Sequence, residues 1–285
     1  MKNNFTMLAQ NSNVDYVQQA YLSAMSIRAT NKEAKICLIT NDNVSKKYKQ
    51  VFDDIVDIPW GDHAKDSEWK IENRWKIYHA TPYNETIVMD TDMLVLQDIS
   101  TWFNFLQNYE LFFTNKVYTY RNELVTNNYY RNTFSKNFLP NIYTGLHYFK
   151  KSDIAHEYYT WLEMITNNWQ KFYRQHAGGR LYQRKCSIDL SGSIAIKIMN
   201  VENQTTNNRV KYPSFVHMKP RIQNWENSVV DKWQNRVGTY LGEDLQLKIG
   251  NHRQHGVFHY TEDDFVTDRI ITIYEKYLGI KWLLK

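Results

Sequence analysis

The chain has 285 residues, 42% of them hydrophobic and 23% charged, with only 10 Gly and 5 Pro. That composition is globular, leaves room for a generous core and excludes a linker-rich or disordered chain. A net charge of +5 suits an anionic ligand and permits nucleic acid without demanding it.

Cys37 and Cys186 are the two cysteines, and they form neither a metal-ligand spacing nor a disulfide framework. No stretch approaches the roughly 18 apolar residues of a membrane span, and no signal peptide is evident behind Met1. The expectation is a cytoplasmic protein.

In chain order, residues 5–9 read as a first strand. Ser12 and Asp15 form a capping-box-like start, after which Val14, Val17, Tyr21, Ala24 and Met25 recur at helical spacing. Residues 34–40 read as a second strand, turned by Asn41-Asp42-Asn43. Strand, helix and strand within about 40 residues make a βαβ unit, which predicts a parallel sheet. A short third strand is expected over 52–58, stopped by Pro59, and a helix over 66–80, stopped by Pro82. Its apolar positions, Trp69, Ile71, Trp75 and Tyr78, are only partly periodic.

The chemistry begins at Ile87-Val88-Met89-Asp90-Thr91-Asp92. Three bulky apolar residues read as a buried strand, and two carboxylates follow at its end. Unpaired buried charge costs several kcal/mol, roughly, so such groups pair with cations or hold a metal. At the carboxyl edge of an α/β sheet, where ligands bind, paired carboxylates suit Mg²⁺ or Mn²⁺ with phosphate oxygens completing the shell. Apolar Met93-Leu94-Val95-Leu96 follows.

From 115 to 140, Tyr118, Tyr120, Tyr129, Tyr130, Phe134 and Phe138 interleave with Lys116, Arg121, Arg131 and Lys136. No helical or strand period holds there, so this reads as an aromatic, basic loop: an acceptor-binding surface or a lid. Residues 141–149 read as a strand and 152–168 as a helix with Trp161, Leu162 and Ile165 inward. After the basic run 180–185, Asp189 begins an apolar helix over 188–196, where a carboxylate is favoured by the macrodipole. Residues 210–220 read as a strand and turn, followed by a polar stretch with Trp225 and Trp233. Residues 256–261 read as a last strand. Thr261 is expected to cap the closing helix, with Ile270, Ile273, Tyr274, Tyr277 and Leu278 as its stripe and Gly279 at its end.

The segment from Ile87 to Leu96, in this order of elements, resembles the D-x-D region of GT-A glycosyltransferases, most closely family 8 (the glycogenin and lipopolysaccharide galactosyltransferase relatives). Thr144-Gly145-Leu146 resembles the family's N-[SA]-G-[VL] strand, with Tyr143 in the Asn position, and Asp189 its D-Q segment, with Leu190 in place of Gln. The resemblance implies that Asp90 and Asp92 hold a divalent metal, Mn²⁺ or Mg²⁺, with His259 as third ligand and His217 as the competing choice. It implies a nucleotide-sugar donor, a UDP-sugar first, with Arg74, Lys76 and Lys219 toward its phosphates. Ser12, Asp15 and Tyr16 lie where the family binds the base, Thr144 lies beside the donor, and Asp189 lies under the transferred sugar.

The expected fold is therefore α/β: a single GT-A-like domain over 1–285, with a mixed, mainly parallel central sheet and helices on both faces. Residues 1–100 form its nucleotide-binding half and 101–285 its acceptor-binding half. The expected activity is metal-dependent glycosyl transfer with retention, to a saccharide, a small molecule or DNA. Two alternatives stay open. One is a phage-type transferase acting on a modified DNA base, for which Arg121, Arg131 and the His252–His255 cluster supply the cations. The other is a non-catalytic nucleotide- or sugar-binding module.

Overall fold

The computed structural model describes residues 3–64, 70–126, 131–178, 185–219 and 232–280. The readings on Asp66, Trp69, Tyr129, Tyr130, residues 180–184, Pro220 and Trp225 lie outside them.

The chain opens with β1 (Asn4–Leu8), α1 (Tyr16–Thr30) and β2 (Lys35–Ile39), the two strands parallel as the βαβ pattern requires. The cap of α1 is Asp15, whose carboxylate accepts from Gln18 N at 2.9 Å. Ser12 stands three residues too early to cap it, a correction to the capping-box reading. After α2 (Lys46–Lys49), β3 (Asp54–Val56) joins β2 in parallel. It is shorter than expected because Asp53 turns its carboxylate onto Arg28, Lys35 and the amide of Ile36.

The helix expected over 66–80 is reduced to a 3₁₀ turn, Arg74–Lys76, and α3 (Ile77–Ala80). Lys70 has φ +52°, which breaks a helix. The amide of Asn73 is spent on Asp62 and on the backbone of His63, a local alternative to helix continuation.

β4 (Glu85–Met89) pairs parallel with β1. It is followed by β5 (Met93–Val95), α4 (Ser100–Leu106), β6 (Leu111–Thr114), β7 (Val117–Tyr118) and α5 (Asn132–Lys136). The segment 115–140 thus carries a short strand and a short helix where no period was legible. β8 (Tyr143–Lys150) runs antiparallel between β4 and β6. Then come α6 (Asp153–Asn167), capped by Ser152, α7 (Trp169–His176), α8 (Ile188–Met199) and α9 (Glu202–Thr205). The last part holds β9 (Phe215–His217), β10 (Thr239–Leu241), β11 (Leu247–Ile249), β12 (His252–Arg253), β13 (Val257–His259) and α10 (Asp268–Leu278).

The central sheet is six-stranded, in the order β3-β2-β1-β4-β8-β6, with β8 antiparallel to both its neighbours. Alternation along each strand sorts its side chains to two cores. Phe5, Met7, Ile87 and Met89 pack with α1 and α10 on one face. Leu8, Val88, Leu111 and Phe113 pack with α6, α7 and α8 on the other. A second, four-stranded sheet, β5-β13-β9-β7, begins where β4 ends, and β10-β11-β12 form an antiparallel ribbon.

Two expectations at the C-terminus are corrected. Thr267, not Thr261, caps α10, accepting from Ile270 N at 3.3 Å; Thr261 sits at φ +62°. The inward face of α10 carries Ile270, Ile271, Tyr274 and Glu275, while Tyr277 is 54% exposed. Glu275 can be buried there because Lys47 pairs with it at 2.5 Å and Tyr21 donates to it at 3.1 Å.

Candidate active site

The site lies where the two larger sheets meet. The amide of Asp90 still donates to Gly145 of β8 at 2.8 Å, extending the β4 ladder by one residue. Thr91 then donates its hydroxyl to Gln19 of α1 at 3.1 Å, and the Asp92 carbonyl accepts from Tyr260 N at 3.1 Å. The D-x-D turn is thus pinned from three elements. A Cβ at Gly145 would overlap the Asp90 carboxylate and lie 3.1 Å from its Cγ, so a side chain there would push that carboxylate out of place.

His259 ends β13, in register with Met93 of β5 on one side and His217 of β9 on the other. That register puts His259 beside the turn: its Nε2 lies 2.9 Å from Asp92 Oδ2. His217 stacks on it at 4.7 Å between centroids and 13° between planes. Ligand atoms of Asp90, Asp92 and His259 all lie within 4.8 Å of one another. Two hard carboxylate oxygens and one imidazole nitrogen are a donor set that fits a divalent cation, Mn²⁺ better than Mg²⁺ because of the imidazole. His217 stands behind this group rather than in it.

Arg74 donates Nη2 to Asp90 Oδ1. Burial works against charge on Asp92, but His259 and Arg74 hold it below the usual carboxylate range. Burial likewise opposes protonation of His259, and Asp92 and Asp90 raise it above the ordinary histidine value. His217, buried and beside His259, is pushed well below that value and stays neutral.

A second carboxylate faces the same cavity from the first turn of α8. Asp189 Oδ1 accepts from Thr144 N at 2.8 Å and from Thr144 Oγ1 at 2.6 Å. Its Oδ2 accepts from Arg131 Nη1 at 2.7 Å. Burial opposes its charge, and Arg131 and Thr144 outweigh that and lower its pKa.

The cavity measures about 870 Å³. Of the residues singled out in the sequence, Tyr16, Arg74, Asp90, Asp92, Asp189, His217, Lys219 and His259 line it. Four do not. Ser12 is exposed, and Asp15 is spent on the α1 cap. Lys76 is fully buried and donates to the Gly61 carbonyl; two residues along the turn from Arg74, it leaves on another face. Thr144 faces Asp189 rather than the cavity.

Among the described residues of the aromatic, basic segment, Arg131 and Phe134 reach the wall; Arg121 lies outside it, against Tyr120, which also packs on His252. Lys70, Lys185 and Glu262 also reach the wall, from loops without a readable period. Among the described residues the wall carries Lys70, Arg74, Arg131, Lys185, Lys219 and Lys232 against Asp90, Asp92, Asp189 and Glu262, an excess of positive charge that favours an anionic ligand.

No helix of the described residues is long and apolar enough to cross a membrane. No family model and no curated protein matches the sequence. Among solved structures, the galactosyltransferase LgtC, in complex with donor and acceptor sugar analogues, is similar over 99% of this chain and 100% of its own, with a TM-score of 0.50 at 12% identity. The glycosyltransferase GlyE of Streptococcus pneumoniae TIGR4 is similar over 73% of this chain at 14% identity and a TM-score of 0.40; the chain spans 45% of GlyE. Mouse xyloside xylosyltransferase 1 is similar over 73% of this chain and 84% of its own, at 13% identity and a TM-score of 0.45. The likeness to LgtC shows the fold: the mixed, mostly parallel sheet with helices on both faces is a GT-A arrangement.

Proposed function

We propose that this protein is a metal-dependent glycosyltransferase that moves a sugar from a nucleoside-diphosphate sugar, a UDP-sugar first, to a hydroxyl-bearing acceptor with retention. One observation carries the reading. Asp90, Asp92 and His259 bring their ligand atoms within 4.8 Å of one another, on the wall of a basic cavity that also holds Asp189.

Asp90, Asp92 and His259 would hold Mn²⁺ or Mg²⁺. When bound, such a cation supplies a Lewis acid for the departing nucleoside diphosphate. Arg74 and Lys219 supply fixed positive charge to phosphate oxygens from the same wall. Tyr16, at the start of α1, offers its ring to the base. Burial and the nearby Asp92 raise its pKa, so its hydroxyl stays a neutral donor.

Retention is supported by how the wall carboxylates are used. Asp90 accepts from Arg74, Asp92 from His259, Asp189 from Arg131 and Thr144, and Glu262 from Trp233 N at 2.7 Å. Among the described residues, each wall carboxylate is thus held by a structural partner, an arrangement that suits a retaining transfer, which needs no dedicated general base. Asp189 serves as a fixed negative charge beside the reacting sugar. A saccharide or small-molecule acceptor fits better than a nucleic acid, because Arg131 is committed to Asp189 and Arg121 lies outside the wall.

Thermal unfolding with UDP, UDP-sugars and Mn²⁺ tests the reading. At a ligand concentration of about 100 Kd, stabilisation of about 2.7 kcal/mol is expected, dependent on the metal. Turnover of a nucleotide-sugar separates an enzyme from a binding module. No metal-dependent shift with any nucleoside diphosphate would overturn the proposal.

A further inference from the structure

One cation on the cavity wall is held differently from the rest. The Arg131 guanidinium carbon lies 4.0 Å from the ring centroid of Phe134 and 3.9 Å from that of Tyr143. All three of its nitrogens donate: Nε to Asn141 Oδ1 at 2.7 Å, Nη1 to Asp189 Oδ2 at 2.7 Å and Nη2 to the Ile142 carbonyl. A planar group packed against two rings and hydrogen-bonded at every nitrogen has little freedom to follow a substrate. Its side chain is only 11% exposed. Arg131 is therefore built as a fixture, not as a mobile phosphate contact.

What it fixes is Asp189. A carboxylate offers about four acceptor positions. Thr144 fills both on Oδ1 and Arg131 fills one on Oδ2, which leaves one. Thr144 is itself held from behind. His147 Nδ1 lies 2.7 Å from the Thr144 carbonyl, which can only accept, so Nδ1 carries the hydrogen. Nε2 then accepts from the Tyr159 hydroxyl at 2.7 Å.

We propose that Arg131 is a positioning residue: clamped between Phe134 and Tyr143, it orients the Asp189 carboxylate so that the last acceptor position of Oδ2 meets the sugar in the cavity. This rests on the transferase reading above. The clamp also sets the charge of that carboxylate. The other charged and titratable groups that feel Asp189 are Arg74, Lys219, His147, Tyr143 and Tyr158. Among the described residues, Arg131 is the cation in direct contact with it.

The test compares wild type with Arg131→Met and Arg131→Lys in Mn²⁺-dependent turnover of a UDP-sugar across pH. Arg131→Met is expected to lower kcat by up to roughly 100-fold, the cost of a positioned group displaced by about 1 Å, with donor KM within about threefold. The acid limb of its pH profile should move up by about one pH unit or more, because the ion-pair partner is gone. Arg131→Lys should return that limb toward wild type while recovering kcat only in part, since an ammonium lacks the fork. A merely structural role would lower stability and leave the limb in place. If Arg131→Met does not fold, Tyr143→Leu opens one side of the clamp and should give a smaller kcat loss at unchanged KM.

The ¹³C-carboxyl titration of Asp189, assigned with Asp189→Asn, reads the clamp without turnover. It should move to higher pH in Arg131→Met. An unmoved titration, wild-type kcat in Arg131→Met, or a loss confined to KM would overturn the clamp. A wild-type protein that turns over no nucleotide-sugar would instead count against the transferase reading, and the titration would still decide the clamp.

Discussion

Two groups of carboxylates face one cavity and are handled in opposite ways. At the end of β4, Asp90 is partnered by Arg74 and Asp92 by His259, and the ligand atoms of both aspartates converge with that of His259 within 4.8 Å. At the start of α8, Asp189 stands apart and is nearly saturated, by two donors from Thr144 and one from Arg131. Convergence with open acceptor positions is what a cation site needs. Near-saturation by fixed donors is what a permanent, oriented charge needs. The same residue type serves both ends because strand pairing sets the first geometry and a helix terminus sets the second.

The largest expected effect comes from breaking the convergent end. Asp90→Asn and Asp92→Asn should each weaken Mn²⁺-dependent binding of UDP by more than the roughly 10- to 100-fold that losing an outer-shell partner costs. Calorimetry reads this directly, and circular dichroism checks that the fold is kept. Wild-type affinity in both variants would remove the metal site from the account.

Within that end, the two stacked histidines differ in role. His259→Ala should weaken Mn²⁺ binding at least about tenfold, whereas His217→Ala should cost chiefly the stack, about 0.5–1.5 kcal/mol of stability. Titration of Mn²⁺ into both variants, with their melting temperatures, separates the roles. Equal losses of metal affinity would place His217 among the ligands.

At the saturated end the expected effect is on stability against pH. The folded pKa of Asp189 is depressed, so its stabilising contribution is complete above the unfolded value of about 3.9. It is lost as pH falls through the folded value. Asp189→Asn should flatten this part of the stability curve in urea melts below about pH 5. An unchanged acid slope would mean that the ion pair contributes nothing to folding.

The smallest effect belongs to Arg121, outside the cavity against Tyr120. Arg121→Ala should leave UDP affinity within about twofold, as surface substitutions away from a site do. It should also leave any salt-dependent DNA binding unchanged. A fall in the salt slope by roughly one unit would bring a nucleic-acid acceptor back into consideration.

The comparison also marks how far the sequence could be read. The D-x-D end is local: Ile87, Val88 and Met89 announce a buried strand and the carboxylates follow within three residues, so placement at a strand end was legible. His259 was legible as a residue of a late strand, but its pairing with His217 depends on register between β9 and β13. The Asp189 end is a tertiary construction, with Arg131 58 positions away in a segment of no readable period. Lys76 stands two residues from Arg74, and neither an α-helix nor a 3₁₀ turn puts both on one face; Arg74 is the one that reaches the cavity. Ser12 and Thr261 misled because each precedes a second capping residue, Asp15 and Thr267, that the chain uses instead. The ribbon β10-β11-β12 went unseen because its strands are two or three residues long and largely exposed.

The central claim is that Asp90, Asp92 and His259 hold one divalent ion against a nucleotide-sugar's diphosphate. Anomalous diffraction at the manganese edge, from crystals grown with Mn²⁺ and UDP, tests it most directly. The account predicts one ion with an oxygen of each aspartate and a nitrogen of His259 within roughly 2.5 Å, and with phosphate oxygens on its open side. An ion bound elsewhere, or UDP bound with no metal at this turn, would contradict it.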